Sequence, residues 1–316
     1  LSVLIAILML IIGLVVLIAG ADILVRGAAQ LARVMGLSPF AIGVTVVAFG
    51  TSAPELFASI GAAIQNVPDL AVGNVIGSNI ANILLILGVG GMMIPIGVHR
   101  RVRRIELPIL LAITIAASML MIDHQITRFE GGLLAVGLLG YVLFIIKAHR
   151  IDIEHEGDEV VTHPKRVWVD ILLILGGIIG LGLGAKSLVY GASELALLVG
   201  VPAGIVGTTV VAFGTSLPEL AATVRAAINK DSEMAVGNVV GSNIFNLLSV
   251  LGITSLIHPL TMPASMDIHI WIMIGVSLAF VLLVQVRPVI GRVLGFFFVL
   301  AYIFYVIVSL VFPELV

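Results

Sequence analysis

The sequence contains no cysteine, and only 11% of its residues are Asp, Glu, Lys or Arg. Without cysteine there are no disulfides, no thiolate metal ligands and no cysteine nucleophile. Soluble domains carry about 25% charged residues, so a chain with less than half that share is not built as a water-soluble enzyme. The charges nearly cancel, 16 basic against 18 acidic for a net −2, which gives no reason to expect a nucleic-acid partner. The seven histidines fall in loops or near the ends of apolar runs, and no His-Glu-x-x-His motif of a metallohydrolase occurs.

What fills the 316 residues is apolar side chain: 60% are hydrophobic and the mean hydropathy is +1.24. Long apolar runs alternate with short charged breaks, and a helix needs about 20 such residues to cross the hydrocarbon core. The pattern predicts an all-α polytopic membrane protein with ten transmembrane helices, over 2–34, 39–65, 70–95, 106–122, 130–147, 168–198, 203–228, 233–257, 267–286 and 291–312. The run from Leu1 to Ile18 lacks a basic leader and a small-residue cleavage site, so it reads as part of the first span rather than a signal peptide. The one sizeable loop, 148–167, carries Asp152, Glu154, His155, Glu156, Asp158 and Glu159 and reads as a solvated linker. It separates a five-helix unit, 1–147, from a second one, 168–316.

Basic residues set the orientation. Arg33, the cluster Arg100, Arg101, Arg103 and Arg104, then Lys147, Arg150, Lys165, Arg166, Lys230, Arg287 and Arg292 all lie on one set of loops, while the alternate set holds only Arg128. The first set is therefore expected in the cytoplasm, with both termini outside and the chain a multi-pass protein of the plasma membrane, the inner membrane of a bacterial cell.

The two units repeat each other. Gly43 to Asn82 aligns with Gly207 to Asn246 at a constant offset of 164 without a gap, and 26 of the 40 positions are identical. These stretches are the cores of two repeats, about 39–95 and 203–257. Five spans, an odd number, precede the second half, so the copies enter the membrane from opposite sides. Inverted repeats of this kind place binding sites near the bilayer midplane where the halves meet. The retained positions are disproportionately polar residues, glycine and proline, which packing alone does not call for.

Two segments carry the chemistry. The first is Gly50-Thr51-Ser52-Ala53-Pro54-Glu55, matched by Gly214-Thr215-Ser216-Leu217-Pro218-Glu219. The second is Gly73-Asn74-Val75-Ile76-Gly77-Ser78-Asn79-Ile80-Ala81-Asn82, matched by Gly237-Asn238-Val239-Val240-Gly241-Ser242-Asn243-Ile244-Phe245-Asn246. Pro54 has no N–H for the carbonyl four residues back and its ring crowds that carbonyl. A break is expected there, freeing oxygens near Ala48 to Gly50, and Pro218 should do the same near Ala212 to Gly214. Irregular backbone at membrane depth is tolerated only when buried in protein or lining a cavity.

Glu55 lies 16 residues past Pro39, roughly 24 Å at the helical rise, near the middle of the membrane. Glu219 reaches a similar depth from the other side. A carboxylate there costs several kcal/mol unless compensated. Lys186 is near the outer edge of its span, where it can snorkel, and Arg26 and Arg225 lie toward the cytoplasmic ends of theirs. The missing counter-charge is inferred to be a mobile cation; two neutral carboxylic acids would leave the surrounding oxygen groups without a purpose. Thr51 and Ser52 stand at helical spacing from Glu55, as Thr215 and Ser216 do from Glu219. Asn74, Ser78 and Asn82 share one helix face, and Asn238, Ser242 and Asn246 another. Asn74, Asn79, Asn238 and Asn243 serve equally well as packing glue between helices. Hard oxygen ligands of this kind suit Ca²⁺ and Na⁺ rather than zinc or copper. Two carboxylates balance one Ca²⁺ or two monovalent ions, and competition for one ligand set is the logic of an antiporter.

Gly-Thr-Ser-x-Pro-Glu followed by Gly-Asn-x-x-Gly-Ser-Asn, twice in inverted halves, resembles the α-repeats of the cation/calcium antiporter superfamily, and within it the compact prokaryotic sodium/calcium exchangers. The resemblance implies no enzymatic activity and no cofactor, but a secondary antiporter exchanging sodium for calcium by alternating access. It implies a core built from spans 2–5 and 7–10, across which the long spans 1 and 6 slide. It makes Glu55 and Glu219 the central ligands of the transported Ca²⁺ and Na⁺. Thr51, Ser52, Thr215, Ser216, Ser78 and Ser242 would coordinate through hydroxyl or carbonyl oxygens, Ala48 and Ala212 through backbone carbonyls, and Asn82 and Asn246 would line the cavity. Some relatives, potassium-dependent ones among them, carry aspartate where this chain has Asn246, which argues against potassium cotransport. Proton/calcium exchange on the same glutamates is the alternative; a passive cation channel is a further one and would need no counter-ion.

Overall fold

The computed structural model describes residues 3–149, 164–198 and 212–311. The acidic centre of the 148–167 loop and the start of the second repeat, 203–211, lie outside the described residues. Helices account for nearly all of the rest: α1 (Val3–Met35), α2 (Pro39–Ile42), α3 (Ala48–Thr51), α4 (Ala53–Ile64), α5 (Pro68–Ala81), α6 (Leu87–Met93), α7 (Leu107–Leu120), α8 (Arg128–Ala148), α9 (Pro164–Leu198), α10 (Ala212–Thr215), α11 (Leu217–Ile228), α12 (Ser232–Phe245), α13 (Leu251–Ile257), α14 (Met266–Val286) and α15 (Arg292–Val311). Seven of the helical runs are long and apolar enough to cross a membrane, or eight if the pair Pro39–Thr51 and Ala53–Ile64, bent by 42°, is one span. The expected spans at 106–122 and 203–228 fall outside that count. The first continues from a π-helical turn, Val102–Glu106, into α7 but carries Arg103, Arg104 and Glu106 at its start, and the second begins in undescribed chain.

The internal repeat governs the architecture. The turns after α4 and α11 both pass through a left-handed residue, Asn66 (φ 59°) and Lys230 (φ 61°), at the 164-residue offset. Two short antiparallel ladders clip the halves together: β1 (Ile96–Gly97) pairs with β4 (Val289–Ile290), and β2 (Gln125–Ile126) with β3 (Leu260–Thr261). Each ladder takes one strand from each repeat.

The long helices α1 and α9 lie antiparallel along a glycine seam. A Cβ on Gly13 would stand 2.5 Å from the Leu188 amide nitrogen, and one on Gly184 2.5 Å from that of Leu17. Gly20 meets Leu181 and Gly180 in the same way. Gly13, Gly20 and Gly27 recur as Gly177, Gly184 and Gly191, again at an offset of 164, so the duplication extends beyond the motif segments into the long helices. With no hydrophobic drive between helices in lipid, close backbone approach of this kind is what holds a pair together.

At the centre, α12 crosses the first half of the broken helix. A Cβ on Gly237 would lie 2.6 Å from the carbonyl oxygen of Phe40, and one on Gly241 2.5 Å from that of Val44. This contact brings the Thr51 end of α3 against Asn238 and Ser242 of α12.

Candidate cation site

The helix break falls at Ser52 (φ −84°, ψ 3°), which ends α3 and caps α4. Pro54 sits in the first turn of α4, where its missing N–H costs nothing. One expectation is corrected here. The Ala48 carbonyl is not free: it accepts the Ser52 amide at 2.9 Å and the Thr51 hydroxyl at 3.3 Å, because the chain completes a full helical turn before bending. In the second repeat, Ala212 opens α10, and the Ser216 amide donates instead to the Phe213 carbonyl at 3.2 Å.

A second correction concerns partners. Helical spacing would set Ser52 beside Glu55, three residues on, but the bend at Ser52 destroys that register. The Ser52 hydroxyl donates to Oε1 of Glu219 at 3.1 Å, and the Ser216 hydroxyl faces Oε1 of Glu55 at 3.5 Å. Each repeat thus holds the other's carboxylate, so neither half can form the site alone.

Both carboxylates are 1% exposed. Behind them two asparagines act as mirror-related props. The Asn74 amide donates to the Glu55 carbonyl at 3.3 Å and to Ser59 Oγ at 3.0 Å. The Asn238 amide donates to the Glu219 carbonyl at 3.3 Å and to Thr223 Oγ1 at 2.8 Å. Asn238 Oδ1 also accepts from Thr51 at 3.2 Å, and Thr51 lies 3.5 Å from Ser242 Oγ. Ser59 and Thr223 were not singled out from sequence; their signal was a hydroxyl four residues past each glutamate, 164 apart. Asn79 bonds to the Val75 carbonyl of its own helix at 2.7 Å, a packing role.

Asn82 and Asn246 each open a π-helical turn, Asn82–Ile86 and Asn246–Val250, a local widening often found at functional sites. The Asn82 amide donates to Asn243 Oδ1 at 2.9 Å across the repeats. Ser78 is buried on α5, one turn before Asn82, whose backbone N–H its carbonyl accepts.

Glu55 Oε2, Glu219 Oε2, Asn82 Oδ1 and both polar atoms of Asn246 are buried without a hydrogen-bond partner among the described residues. Buried oxygens are almost always satisfied, and exceptions point to water or an ion. Among the described residues no basic side chain pairs with either glutamate; the Arg and His ion pairs go to Asp22, Glu106, Glu233 and Asp267. No cluster of three or more His, Asp or Glu occurs there either. The donor set is two carboxylates among hydroxyl, amide and carbonyl oxygens, which fits hard cations.

Comparison with known proteins agrees with this chemistry. The chain is 36% identical over 275 residues to the inner membrane protein YrbG of Escherichia coli, covering 82% of this chain and 83% of that protein. It is 31% identical to the sodium/calcium exchanger MaX1 of Methanosarcina acetivorans, covering 87% and 89%. Its fold superposes on a solved structure of the sodium-calcium exchanger NCX_Mj with a TM-score of 0.86 and 31% identity, over 96% of this chain and 99% of that one. The profile described as sodium/calcium exchanger protein matches twice, at residues 5–147 and 169–311. Two matched halves, a shared fold and a site built across the halves lead to one assignment: the chain belongs to the sodium/calcium exchanger protein family.

Proposed function

We propose that this chain exchanges sodium for calcium across the membrane by alternating access, with both ions competing for one midplane site. The observation that carries this reading is the pair of buried carboxylates, each held by a hydroxyl of the other repeat and, among the described residues, each with an oxygen left over and neither with a basic partner. Glu55 and Glu219 supply the charge that one Ca²⁺ or two Na⁺ would balance. Thr51, Ser52, Thr215, Ser216, Ser78, Ser242, Asn82, Asn246 and the carbonyls of Ala48 and Ala212 complete the oxygen shell. In this reading the Ala48 carbonyl must trade the Thr51 hydroxyl for the ion.

The finer architecture belongs to the same proposal: ten spans in two inverted units, 1–147 and 168–316, joined by a cytoplasmic linker, with both termini outside. The E. coli relative's description as an inner membrane protein supports the same membrane for this chain. Purified protein in calcium-loaded or sodium-loaded vesicles tests the activity. An outward-directed sodium gradient at constant pH should drive labelled calcium into the vesicles. If only a proton gradient drives uptake, the counter-ion is the proton; if calcium equilibrates without any counter-ion gradient, the protein is a channel. Either result overturns the proposal.

A further inference from the structure

The repeats are not symmetric on the two sides of the site. On the half of the membrane that ends at Arg33 and Arg100–Arg104, Asp22 of α1 meets Arg225 of α11, with the guanidinium Nε 2.6 Å from Oδ1. A second guanidinium nitrogen of Arg225 contacts the same oxygen. Arg26, one turn along α1, holds the other oxygen of Asp22 at 2.8 Å. Asp22 and Arg225 are only 21% and 28% exposed, so water screens the pair incompletely. Arg225 stands six residues past Glu219 on α11, roughly 9 Å along the helix, between the carboxylate and that face of the membrane.

The offset of 164 maps Arg225 onto Gly61, Asp22 onto Lys186 and Arg26 onto Tyr190. At the corresponding place on the opposite half, a Cβ on Gly61 would meet nothing within 4 Å, and Lys186 is exposed with no ion pair among the described residues. One side of the site is closed by a three-residue charge cluster; its counterpart is open space beside a glycine. Helix α1 packs along α11, whereas α9 has no comparable packing on α4 among the described residues.

We infer that Asp22 and Arg225 are the latch of a cytoplasmic gate, binding α1 to α11 while the site is shut off from that face and parting each time it opens there. This rests on the alternating-access reading and orientation proposed above. Because Gly61 and Lys186 cannot form the mirror-image pair, the latch exists in one access state alone and biases the exchanger toward it.

The absence of cysteine makes the test direct. Ala222→Cys places one thiol in the closed segment between Glu219 and Arg225, where Ala222 is 1% exposed; Gly61→Cys places one in the open counterpart. Each is labelled with a membrane-impermeant maleimide from its own face of oriented vesicles. Asp22→Asn should raise cytoplasmic labelling at 222 about threefold, the population change that loss of a partly screened ion pair allows, and lower outer labelling at 61. The exchanged pair, Asp22→Arg with Arg225→Asp, should restore the original pattern, and it remains informative where Asp22→Asn fails to assemble. Unchanged labelling, labelling that rises at both faces, or an exchanged pair that behaves like the single variant overturns the latch. Labelling does not depend on which ion moves, so failed sodium-driven calcium uptake alongside reciprocal labelling would refute the proposed ion pair of substrates and leave the latch standing.

Discussion

Gly77 and Gly241 occupy the same place in the two copies of one motif, yet the structure sets them in opposite surroundings. A Cβ on Gly241 would stand 2.5 Å from the Val44 carbonyl oxygen, 2.6 Å from Val44 Cα and 2.7 Å from Ala48 Cβ, whereas one on Gly77 would meet nothing within 4 Å. Carbon atoms rest about 3.5–4.0 Å apart, so Gly241→Ala must drive α12 from the first half of the broken helix by about 1 Å. The neighbouring Thr51–Ser242 contact of 3.5 Å and the Thr51–Asn238 bond of 3.2 Å would both open beyond hydrogen-bond range. Overpacking costs about 1–3 kcal/mol and each of the two lost bonds about 1 kcal/mol, which together come to about 3–5 kcal/mol. Gly77→Ala should be neutral or stabilising by up to about 1 kcal/mol, because alanine is the better helix former. Thermal unfolding in detergent, with calcium binding measured on the same samples, reads both quantities. Gly241→Ala should melt lower and bind calcium at least about tenfold more weakly; Gly77→Ala should do neither. Equal effects of the two substitutions would refute the close crossing of α12 over residues 43–48 as the device that shapes the site.

Glu55→Gln and Glu219→Gln keep the shape of each side chain while removing a charge, so each should abolish vesicle transport with an unchanged elution profile and melting curve; wild-type exchange in either would remove that residue from the site. Ser52→Ala removes a hydroxyl from Glu219 rather than from Glu55, and hydrogen bonds to charged groups are worth about 1.5–3 kcal/mol. Its effect on calcium affinity should therefore be smaller in a Glu219→Gln background, where the acceptor is neutral, than in Glu55→Gln; the reverse pattern would contradict the swapped geometry. Asp231 caps α12 by accepting the Met234 amide at 3.0 Å, and burial holds its carboxyl above the usual range, partly opposed by that bond and by Arg33. The folded state therefore binds the Asp231 proton more tightly than the unfolded chain does, and this contribution to stability is present at acid pH and lost as pH rises through the raised value. Asp231→Asn, which keeps the cap acceptor, should equal or exceed the parent's melting temperature at pH 7 and lose any gain near pH 4; a large loss at pH 7 would show that the Arg33 attraction outweighs burial.

Much of the fold is written locally. The bounds of α1, α5 with α6, α8, α14 and α15 lie within a few residues of the apolar runs, because in a membrane the length of an uninterrupted hydrophobic stretch is itself the structural constraint. The twofold layout was legible because the duplication had kept Gly-Thr-Ser-x-Pro-Glu and Gly-Asn-x-x-Gly-Ser-Asn without a gap. Less visible was the glycine seam of α1 and α9. Gly13, Gly20 and Gly27 in an apolar run give no hint of their partner until the antiparallel packing is known, although their recurrence at the same offset was there to be read.

The site separates the two levels of information more sharply. From sequence by itself come two carboxylates set among hydroxyls and amides and an expected depth near the middle of the membrane, since depth is counted from helical rise and ligand type is read from residue identity. Tertiary structure decided which oxygens serve which carboxylate. A bend at one residue, Ser52, turned an apparent i, i+3 pairing into a bond between residues 167 apart. It also put Asn74 and Asn238 behind the glutamate backbones and aligned Asp22 with Arg225 on only one side of the site. Such relations depend on where two helices cross, and a crossing is fixed by contacts between distant segments that no local spacing encodes.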